Sequence, residues 1–410
     1  NRRHFEFDPA TNLRKYVSAL NQESTFSFDA RRNLIQATDS AQNVYRFTFD
    51  GRDRLTEIRN PLNGVVRCTY NALDELTRIE DEDLAPTAFT YSPTGKVATM
   101  TNALSHTWTD QYDGRNFLAR VIEPSVGGLQ PIWDFTTDNL GRVISESSQG
   151  VPLNETTYDE RDRVTSTTLL ETNFPESLPV RRTSRYSYNN FDQLVSATDP
   201  LQRVTRMEFD TNQRYIRTVR PDGTTLGRTY DAQGDVVSHF NGAGFSTTYQ
   251  FDSMHRITRM THPGTGGSEL FGYDAKGRLA SWHKTDNSVV SYQYDILDRI
   301  IRIYHQGAEK VRYAYDSLGR VTRMDDQVGP TRYSYSPGSD LLRVEDGLNR
   351  ALAYAYDPAN QLLTRTDQEN VQTQFVYNAR GQVSQAIHDG LIANYQYNAL
   401  GAPTQVSWNN

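Results

Sequence analysis

Carboxylates are the most abundant side chains of this 410-residue chain that could do acid–base or metal chemistry. The densest cluster is Glu80-Asp81-Glu82-Asp83. It lacks the alternating oxygen-ligand spacing of an EF-hand loop, so we interpret it as a solvated turn rather than a calcium site. With 50 Asp and Glu residues close pairs are inevitable, and pairs alone do not identify an acid–base site.

The eight histidines are scattered singly, and none shows the spacing of a zinc motif. They are His4, His106, His239, His255, His262, His283, His305 and His388. The run from His262 to Gly267 superficially resembles a Gly-rich phosphate loop, but it lacks the Lys-Ser/Thr pair that holds phosphates. We therefore expect no enzymatic activity, no cofactor and no metal site.

The amino-acid composition limits the kinds of molecule that this chain could bind. The net charge is −7 and Lys and Arg form no tract, which argues against nucleic acid. The single cysteine, Cys68, excludes an internal disulfide, and we interpret it as a buried filler rather than a reactive thiol. No run of ~18 apolar residues predicts a membrane span. Because the chain begins at Asn1 without Met or a signal peptide, we expect a piece of a longer protein.

The chemistry-bearing residues are embedded in a short motif that recurs along the whole chain. An aromatic residue is followed by Asp or Asn, two variable residues, often Gly and Arg, and then an aliphatic residue. Nineteen copies begin at Phe7, Phe28, Phe49, Tyr70, Tyr91, Tyr112, Thr137, Tyr158, Tyr188, Phe209, Tyr230, Phe251, Tyr273, Tyr294, Tyr315, Tyr335, Tyr356, Tyr377 and Tyr397. Most intervals are 21 residues, which indicates a repeat architecture.

The predicted structural residues of the motif are its aromatic, Asp, Gly and Arg positions. The copies that show them most clearly supply Phe49, Asp50, Tyr230, Asp231, Gly234, Tyr273, Asp274, Gly277, Arg278, Tyr294, Asp295, Tyr315, Asp316, Gly319, Arg320, Tyr356 and Asp357. We expect these residues to carry stability and not chemistry. Replacing Tyr315 by Ala should cost roughly 3–5 kcal/mol, whereas replacing His283 or Glu82 should cost little.

Each repeat predicts two antiparallel strands and two turns. Residues 44–49 alternate between Tyr or Phe and Arg or Thr, which is typical of a half-buried strand. Asp or Asn follows the aromatic in 17 copies and starts a turn, and Gly, Asn or Asp stands four residues after the aromatic in 14 copies, where positive φ is needed. A second turn lies eleven residues after the aromatic, as at Asn60 and Asp81. The chain is therefore predicted to be all-β, a single sheet of about 38 strands with almost no helix, coiled because sheet twist accumulates.

Two features depart from the plain repeat. Insertions lie near residues 123–131 and 169–182, and we interpret them as surface loops, with a partner contact as the alternative. An arginine also recurs two residues into the second strand, at Arg78, Arg120, Arg217, Arg259, Arg302, Arg323 and Arg343. This row either keeps a solvent face soluble or presents a polar surface to cargo, an acidic ligand or a carbohydrate.

The phased Tyr-Asp-x-x-Gly-Arg-Leu motif resembles the YD repeat, also called the Rhs repeat, and the resemblance covers the chain from Phe7 to Tyr397. The family includes bacterial Rhs toxins, Tc toxin components and teneurins. It implies a β-sheet solenoid that spirals into a hollow shell, enclosing a C-terminal toxin domain that autoproteolysis frees. The Asp-Pro-x-Gly-Leu motif of the bacterial core is absent, so the self-cleaving residues cannot be assigned.

The resemblance implies two functions. One is the wall of a toxin shell, whose partners are the remaining shell repeats, the enclosed toxin domain and a secretion-system spike or chaperone, in a protein exported from a bacterium, for example by type VI secretion. The other is an extracellular adhesion module that binds glycans or receptors. As a single array of 19 repeats with two open sheet edges, the piece is also expected to self-associate.

Overall fold

A computed structural model describes residues 3–18, 21–171, 180–264 and 266–409. These residues form 38 strands and no helix, which confirms the all-β prediction. Successive strands pair antiparallel, and all of them belong to one sheet. The described residues contain no helix long and apolar enough to cross a membrane.

The strands follow the repeats closely. The first half of the chain contains β1 (His4–Phe7), β2 (Leu13–Val17), β3 (Glu23–Phe28), β4 (Leu34–Thr38), β5 (Val44–Phe49), β6 (Leu55–Arg59), β7 (Val65–Tyr70), β8 (Leu76–Glu80), β9 (Pro86–Tyr91), β10 (Val97–Thr101), β11 (Thr107–Tyr112), β12 (Leu118–Ile122), β13 (Ile132–Thr137), β14 (Val143–Ser148), β15 (Val151–Tyr158), β16 (Val164–Glu171), β17 (Val180–Tyr188), β18 (Leu194–Thr198) and β19 (Val204–Phe209). The second half contains β20 (Tyr215–Val219), β21 (Thr225–Tyr230), β22 (Val236–Phe240), β23 (Ser246–Phe251), β24 (Ile257–Thr261), β25 (Ser268–Tyr273), β26 (Leu279–His283), β27 (Val289–Tyr294), β28 (Ile300–His305), β29 (Ala308–Tyr315), β30 (Val321–Asp325), β31 (Pro330–Tyr335), β32 (Leu341–Glu345), β33 (Ala351–Tyr356), β34 (Leu362–Thr366), β35 (Gln372–Tyr377), β36 (Val383–His388), β37 (Leu391–Tyr397) and β38 (Pro403–Asn409). The first strand of every repeat therefore ends at the aromatic position.

The first turn of each repeat is a three-residue hairpin loop. In the third repeat the Asp50 N–H donates to the Arg54 carbonyl at 3.0 Å, and the Asp53 N–H donates to the Asp50 carbonyl at 3.1 Å. Asp53 has φ 61°, as a type I turn followed by a left-handed residue requires. The residue four after the aromatic has positive φ in all 19 repeats, including those that carry Thr11 or Arg32.

Many of the second turns use the same geometry, whereas β14–β15, β28–β29 and β36–β37 are joined by two-residue turns. The Asn60 N–H donates to the Gly64 carbonyl at 3.0 Å, while its side-chain oxygen accepts from the N–H groups of Leu62 and Gly64. In the nine repeats that carry Asp or Asn at this position, its side chain satisfies backbone donors that would otherwise point into solvent. Sequence and structure agree on this second turn.

A bulge in the second strand of the repeat was not predicted. Thr48 pairs with Glu57, but Phe49 pairs with Leu55, so Thr56 has no partner across the hairpin. The shift recurs at the same place in the other repeats, for example between Ala314 and Tyr315. It brings Leu55 and Ile58, which are three residues apart, onto the same face as the aromatic residues.

The apolar face is thin. Few apolar side chains of the described residues are buried: Leu170, Val290, Ala393 and the two prolines Pro124 and Pro131. Apart from Phe7, which is exposed, the motif aromatics are half-buried, and they alternate with exposed neighbours along their strands, as in β5. This agrees with the low apolar content and with a sheet one layer thick.

The chain divides into two units, each built from these hairpins. Unit 1 comprises Asn1–Ile132, Tyr292–Tyr304 and Glu309–Asn410, and unit 2 comprises Trp133–Ser291 and His305–Ala308. The insertion at 123–131 is a loop after β12, closed by the Glu123 N–H on the Pro131 carbonyl at 3.0 Å. The insertion at 169–182 lengthens β16 and β17, where Leu169 pairs with Arg182; residues 172–179 lie outside the described residues.

Candidate functional site

The side chains that could do chemistry do not converge in the described part of the chain. No group of three or more His, Cys, Asp or Glu residues is placed there to hold a metal ion. Cys68 is half-buried on β7, and burial raises the pKa of its thiol above the ordinary value, which disfavours the reactive thiolate.

Three of the histidines pair with single carboxylates. His255 lies 2.8 Å from Asp235, whose hydrogen bond and charge raise the pKa of the imidazole. His262 lies 3.0 Å from Glu269, and the Trp282 indole N–H donates to the other oxygen of that carboxylate at 2.7 Å. His4 contacts Glu6, next to it on β1. Each pair satisfies one carboxylate and brings no nucleophile with it.

In many repeats the motif residues build a ladder that links the repeat to its neighbour. The Asp50 carboxylate accepts from the backbone N–H groups of Arg52 and Arg54 and from the Arg54 guanidinium at 2.8 Å. The hydrogen bond from Arg54 is the main reason why the pKa of Asp50 is lowered to about 2. Arg54 then reaches the Asn71 carbonyl at 2.9 Å and covers the Tyr70 ring at 4.9 Å from its centroid.

The tyrosine hydroxyl closes each rung of the ladder. Tyr70 donates to the Leu55 carbonyl at 2.9 Å, and Tyr315 donates to the Ile300 carbonyl at 2.7 Å. The same bond is made by Tyr91, Tyr112, Tyr158, Tyr188, Tyr230, Tyr273, Tyr335, Tyr356, Tyr377 and Tyr397. The acceptor is always the residue that begins the second strand of the preceding repeat, so the hydroxyl ties consecutive hairpins together.

The other motif residues occupy equivalent places. Asp274, Asp295 and Asp316 bind Arg278, Arg299 and Arg320 at 2.6–2.7 Å. Gly234, Gly277 and Gly319 have φ between 84° and 98°. The carboxylates of Asp231 and Asp357 accept hydrogen bonds within their own turns. The hydroxyls of Tyr230 and Tyr356 donate to backbone carbonyls of the preceding repeats. Tyr273, Tyr294 and Phe49 are the last residues of β25, β27 and β5, and Phe49 has no hydroxyl to donate.

The opposite face of the sheet carries the recurring arginines in pairs with carboxylates. Glu80 lies between Arg78 and Arg67, at 3.1 and 3.6 Å, and Glu345 lies between Arg343 and Arg332. The Arg78 side chain is 47% exposed. Such exposed pairs contribute little stability, so this polar face is available for solvent or for a partner.

Contacts within unit 1 correct two predictions. The solvated-turn interpretation of the acidic cluster holds for Asp81, which begins a turn, but is wrong for Asp83. The Asp83 carboxylate accepts hydrogen bonds from Ser336 and Gly338 of a distant repeat. Glu123, in the first insertion, forms a 2.5 Å ion pair with Arg380, and both side chains are less than a fifth exposed. That insertion is therefore a contact between repeats and not only a surface loop.

Comparison with known proteins identifies relatives of this fold. Residues 217–332 match the sequence model of the family described as Teneurin YD-shell. A search of curated protein sequences returned no match. A chain of the Photorhabdus luminescens Tc holotoxin pore shares the fold with a TM-score of 0.62 and 13% identity, over 99% of this chain and 29% of that one.

Two crystal structures show the same likeness at lower similarity. TcdB2-TccC3 without its hypervariable C-terminal region gives a TM-score of 0.45 at 11% identity, over 100% of this chain and 30% of that one. TcdB2-TccC3 gives 0.39 at 12% identity, over 99% and 32%. This chain thus spans under a third of the length of these relatives. The family match over residues 217–332 and the fold shared with the Tc holotoxin chain confirm the predicted similarity to the YD-repeat shell family.

Proposed function

We propose that this chain forms part of the wall of an Rhs-type toxin shell that encloses a C-terminal effector domain and keeps it inactive before delivery. The observation that supports the proposal most is the fold, which matches a chain of the Tc holotoxin pore along 99% of the present chain. The shell role and the enclosed domain are carried over, as a hypothesis, from the YD-repeat family that the motif resembles.

The distribution of contacts also favours a wall. The ladder of Tyr, Arg and Asp runs from hairpin to hairpin, so cohesion acts along the sheet and does not require a second layer packed on it. Catalytic groups must be held together in a precise geometry, and no group of three or more His, Cys, Asp or Glu of the described residues is placed to hold a metal ion. We accordingly propose that the chain has no enzymatic activity of its own.

The polar face suits an enclosed protein. Its arginines share carboxylates with neighbouring strands and stand among Thr and Ser residues, as on β5 to β8. Such a surface would hold a folded or unfolded domain without the apolar patches that promote aggregation. The proposed partners are the remaining shell repeats, the effector domain and a secretion-system spike or chaperone, in an exported protein.

Limited proteolysis of the full-length protein tests this proposal. An enclosed effector should be resistant to protease while the shell is intact and become sensitive once mild denaturant opens the wall. Its toxicity in a target cell should appear only after release. Equal digestion of the effector with and without denaturant would contradict enclosure.

The family match supports a second candidate, an extracellular adhesion module, because residues 217–332 match the YD-shell of teneurins. Aromatic and polar groups on a curved sheet could bind a glycan or a receptor. A glycan array probed with the purified chain would distinguish the two functions. Saturable binding to one glycan class, weakened by substituting exposed arginines such as Arg217, would favour adhesion.

A further inference from the structure

A single carboxylate joins two turns of unit 1 that are 253 residues apart in sequence. Asp83 Oδ2 accepts from the Ser336 hydroxyl at 2.9 Å and from the Gly338 N–H at 3.0 Å. Ser336 is only 9% exposed. Because the acceptor is ionised, these hydrogen bonds are stronger than neutral ones. They tie the second turn of the fourth repeat to the first turn of the sixteenth.

The sixteenth repeat departs from the motif where it faces this carboxylate. Seventeen repeats carry Asp or Asn after the aromatic, but the sixteenth carries Ser336. An aspartate there would set a second carboxylate against Asp83, which would be repulsive. The Ser336 hydroxyl instead donates to Asp83 and also accepts from the Asp340 N–H at 3.0 Å. Ser336 therefore still caps its own turn, and in addition it presents a hydrogen-bond donor to Asp83 where an aspartate would present only acceptors.

Gly338 provides the space for the carboxylate. A Cβ atom on Gly338 would lie 2.0 Å from Asp83 Oδ2 and 2.9 Å from its Cγ. Any side chain there would push the carboxylate off both donors. The hydroxyl of Ser336 and the bare backbone of Gly338 thus form a notch shaped for one carboxylate.

We propose that this notch sets the register in which the edge of the fourth repeat docks on the sixteenth. Consecutive repeats present nearly identical turns, so a slip by one repeat would otherwise change few contacts. On one side, a slip would place Asp316 or Asp357 opposite Asp83, two carboxylates at hydrogen-bond distance. On the other side, it would replace Asp83 by Leu62 or Leu104, which accept no hydrogen bond. One arrangement satisfies both turns.

Apolar side chains lie beside the notch. A cleft of about 410 Å³ between the two turns is lined by Leu62, Leu84, Tyr335 and Pro337. The positions equivalent to Leu84 in the third and fifth repeats carry Asn63 and Ser105, so a slip by one repeat would also disturb this apolar packing. The polar notch and the apolar contacts thus favour the same register, and this holds whatever the wall encloses.

Hydrogen exchange of the intact chain, followed by mass spectrometry, tests the notch. S336D should raise exchange at residues 79–86 and 332–341 by about tenfold or more, the loss expected for a charge-assisted hydrogen bond. In the D83S background the same substitution should raise it by less than about threefold, because a double-mutant cycle isolates the coupling between the two residues.

Ser92 supplies a matched control. It is the other serine at the Asp position of the motif, and its hydroxyl caps its own turn by accepting from the Lys96 N–H at 3.2 Å. S92D should therefore leave exchange in its turn unchanged or lower it. Should S336D destabilise the whole chain, S336A removes one donor without adding charge and should raise exchange at the same two segments.

Two results would overturn the inference. One is an effect of S336D that is equal with and without D83S, since the cost would then arise within the turn itself. The other is unchanged exchange in S336A at both segments. An increase confined to S336D and S336A and relieved by D83S would support the notch.

Discussion

Tyr315 offers the sharpest test of the ladder, because its side chain makes both the hydroxyl contact and the ring contact of the motif. Its hydroxyl donates to the Ile300 carbonyl at 2.7 Å, and the Arg299 guanidinium lies 4.6 Å from the ring centroid. The same guanidinium binds Asp295 at 2.6 Å and the Asp316 carbonyl at 3.1 Å. Removing the ring would leave the Arg299 guanidinium without the aromatic face that it covers.

The loss of unfolding free energy that each substitution of Tyr315 causes can be estimated from these contacts. Tyr315→Phe removes one hydrogen bond and should cost about 0.5–1.5 kcal/mol. Tyr315→Ala also removes the cation–π contact, worth about 0.5–1 kcal/mol at an exposed site, and the packing of the ring. Full truncation of a buried aromatic costs about 3–5 kcal/mol. Because Tyr315 is only half-buried, we expect the total to lie near the lower end, at about 3 kcal/mol.

Denaturant unfolding combined with hydrogen exchange in residues 292–325 would measure both variants. Local exchange is needed because repeat arrays unfold in neighbouring units and not always in two states. Tyr304 is the matched control: it lies on the polar face, where its hydroxyl contacts Gln293 at 3.2 Å. Tyr304→Ala should cost less than about 1 kcal/mol. A Tyr315→Ala cost no greater than that of Tyr304→Ala would refute the ladder as the source of stability.

Three further predictions follow from single residues. Arg32 has φ 73°, so Arg32→Asn should raise the free energy of unfolding by about 0.5–1 kcal/mol; a lower urea midpoint would contradict this. Burial, reinforced by Asp83 and Asp81, raises the pKa of Asp340, so the folded chain binds its proton more tightly than the unfolded chain does. Stability should therefore fall as the pH rises from the ordinary value of 3.8 through that raised pKa, and Asp340→Asn should remove this part of a stability–pH profile; an unchanged profile would count against it. His283 is exposed at the end of β26, and His283→Ala should leave the circular dichroism spectrum intact, while loss of a measurable activity would argue for an enzyme.

The 21-residue period was sufficient to predict the strands and turns, because each repeat folds mainly through local hydrogen bonds. Asp50 and Asp53 carry their turn chemistry in their own residue types. The bulge at Thr56 was not predicted, because an extra residue in the second strand leaves the 21-residue period unchanged. A signal was present: Leu55 and Ile58 are both apolar and lie three apart, which an unbulged strand would place on opposite faces.

The ladder could be predicted only in part. Arg at the fifth position after the aromatic marks the residue that bridges, but its partner is in the next repeat, as Tyr70 is for Arg54. Sequence reasoning also treated Phe and Tyr as equivalent at the aromatic position. The structure separates them, because the hydroxyl of Tyr315 binds a carbonyl and Phe49 has none to offer.

The 21-residue period of the sequence does not predict the contacts between distant repeats. Asp83 with Ser336 and Glu123 with Arg380 join residues more than 250 positions apart, and no spacing rule connects them. What did mark them was departure from the motif: Ser336 replaces Asp, and Glu123 lies in an insertion. Residues that match the motif make the contacts that recur between neighbouring repeats. Residues that depart from the motif are candidates for contacts that a single repeat makes with a distant one. Ser92, the other such serine, caps only its own turn, so a departure becomes informative once a partner stands opposite it.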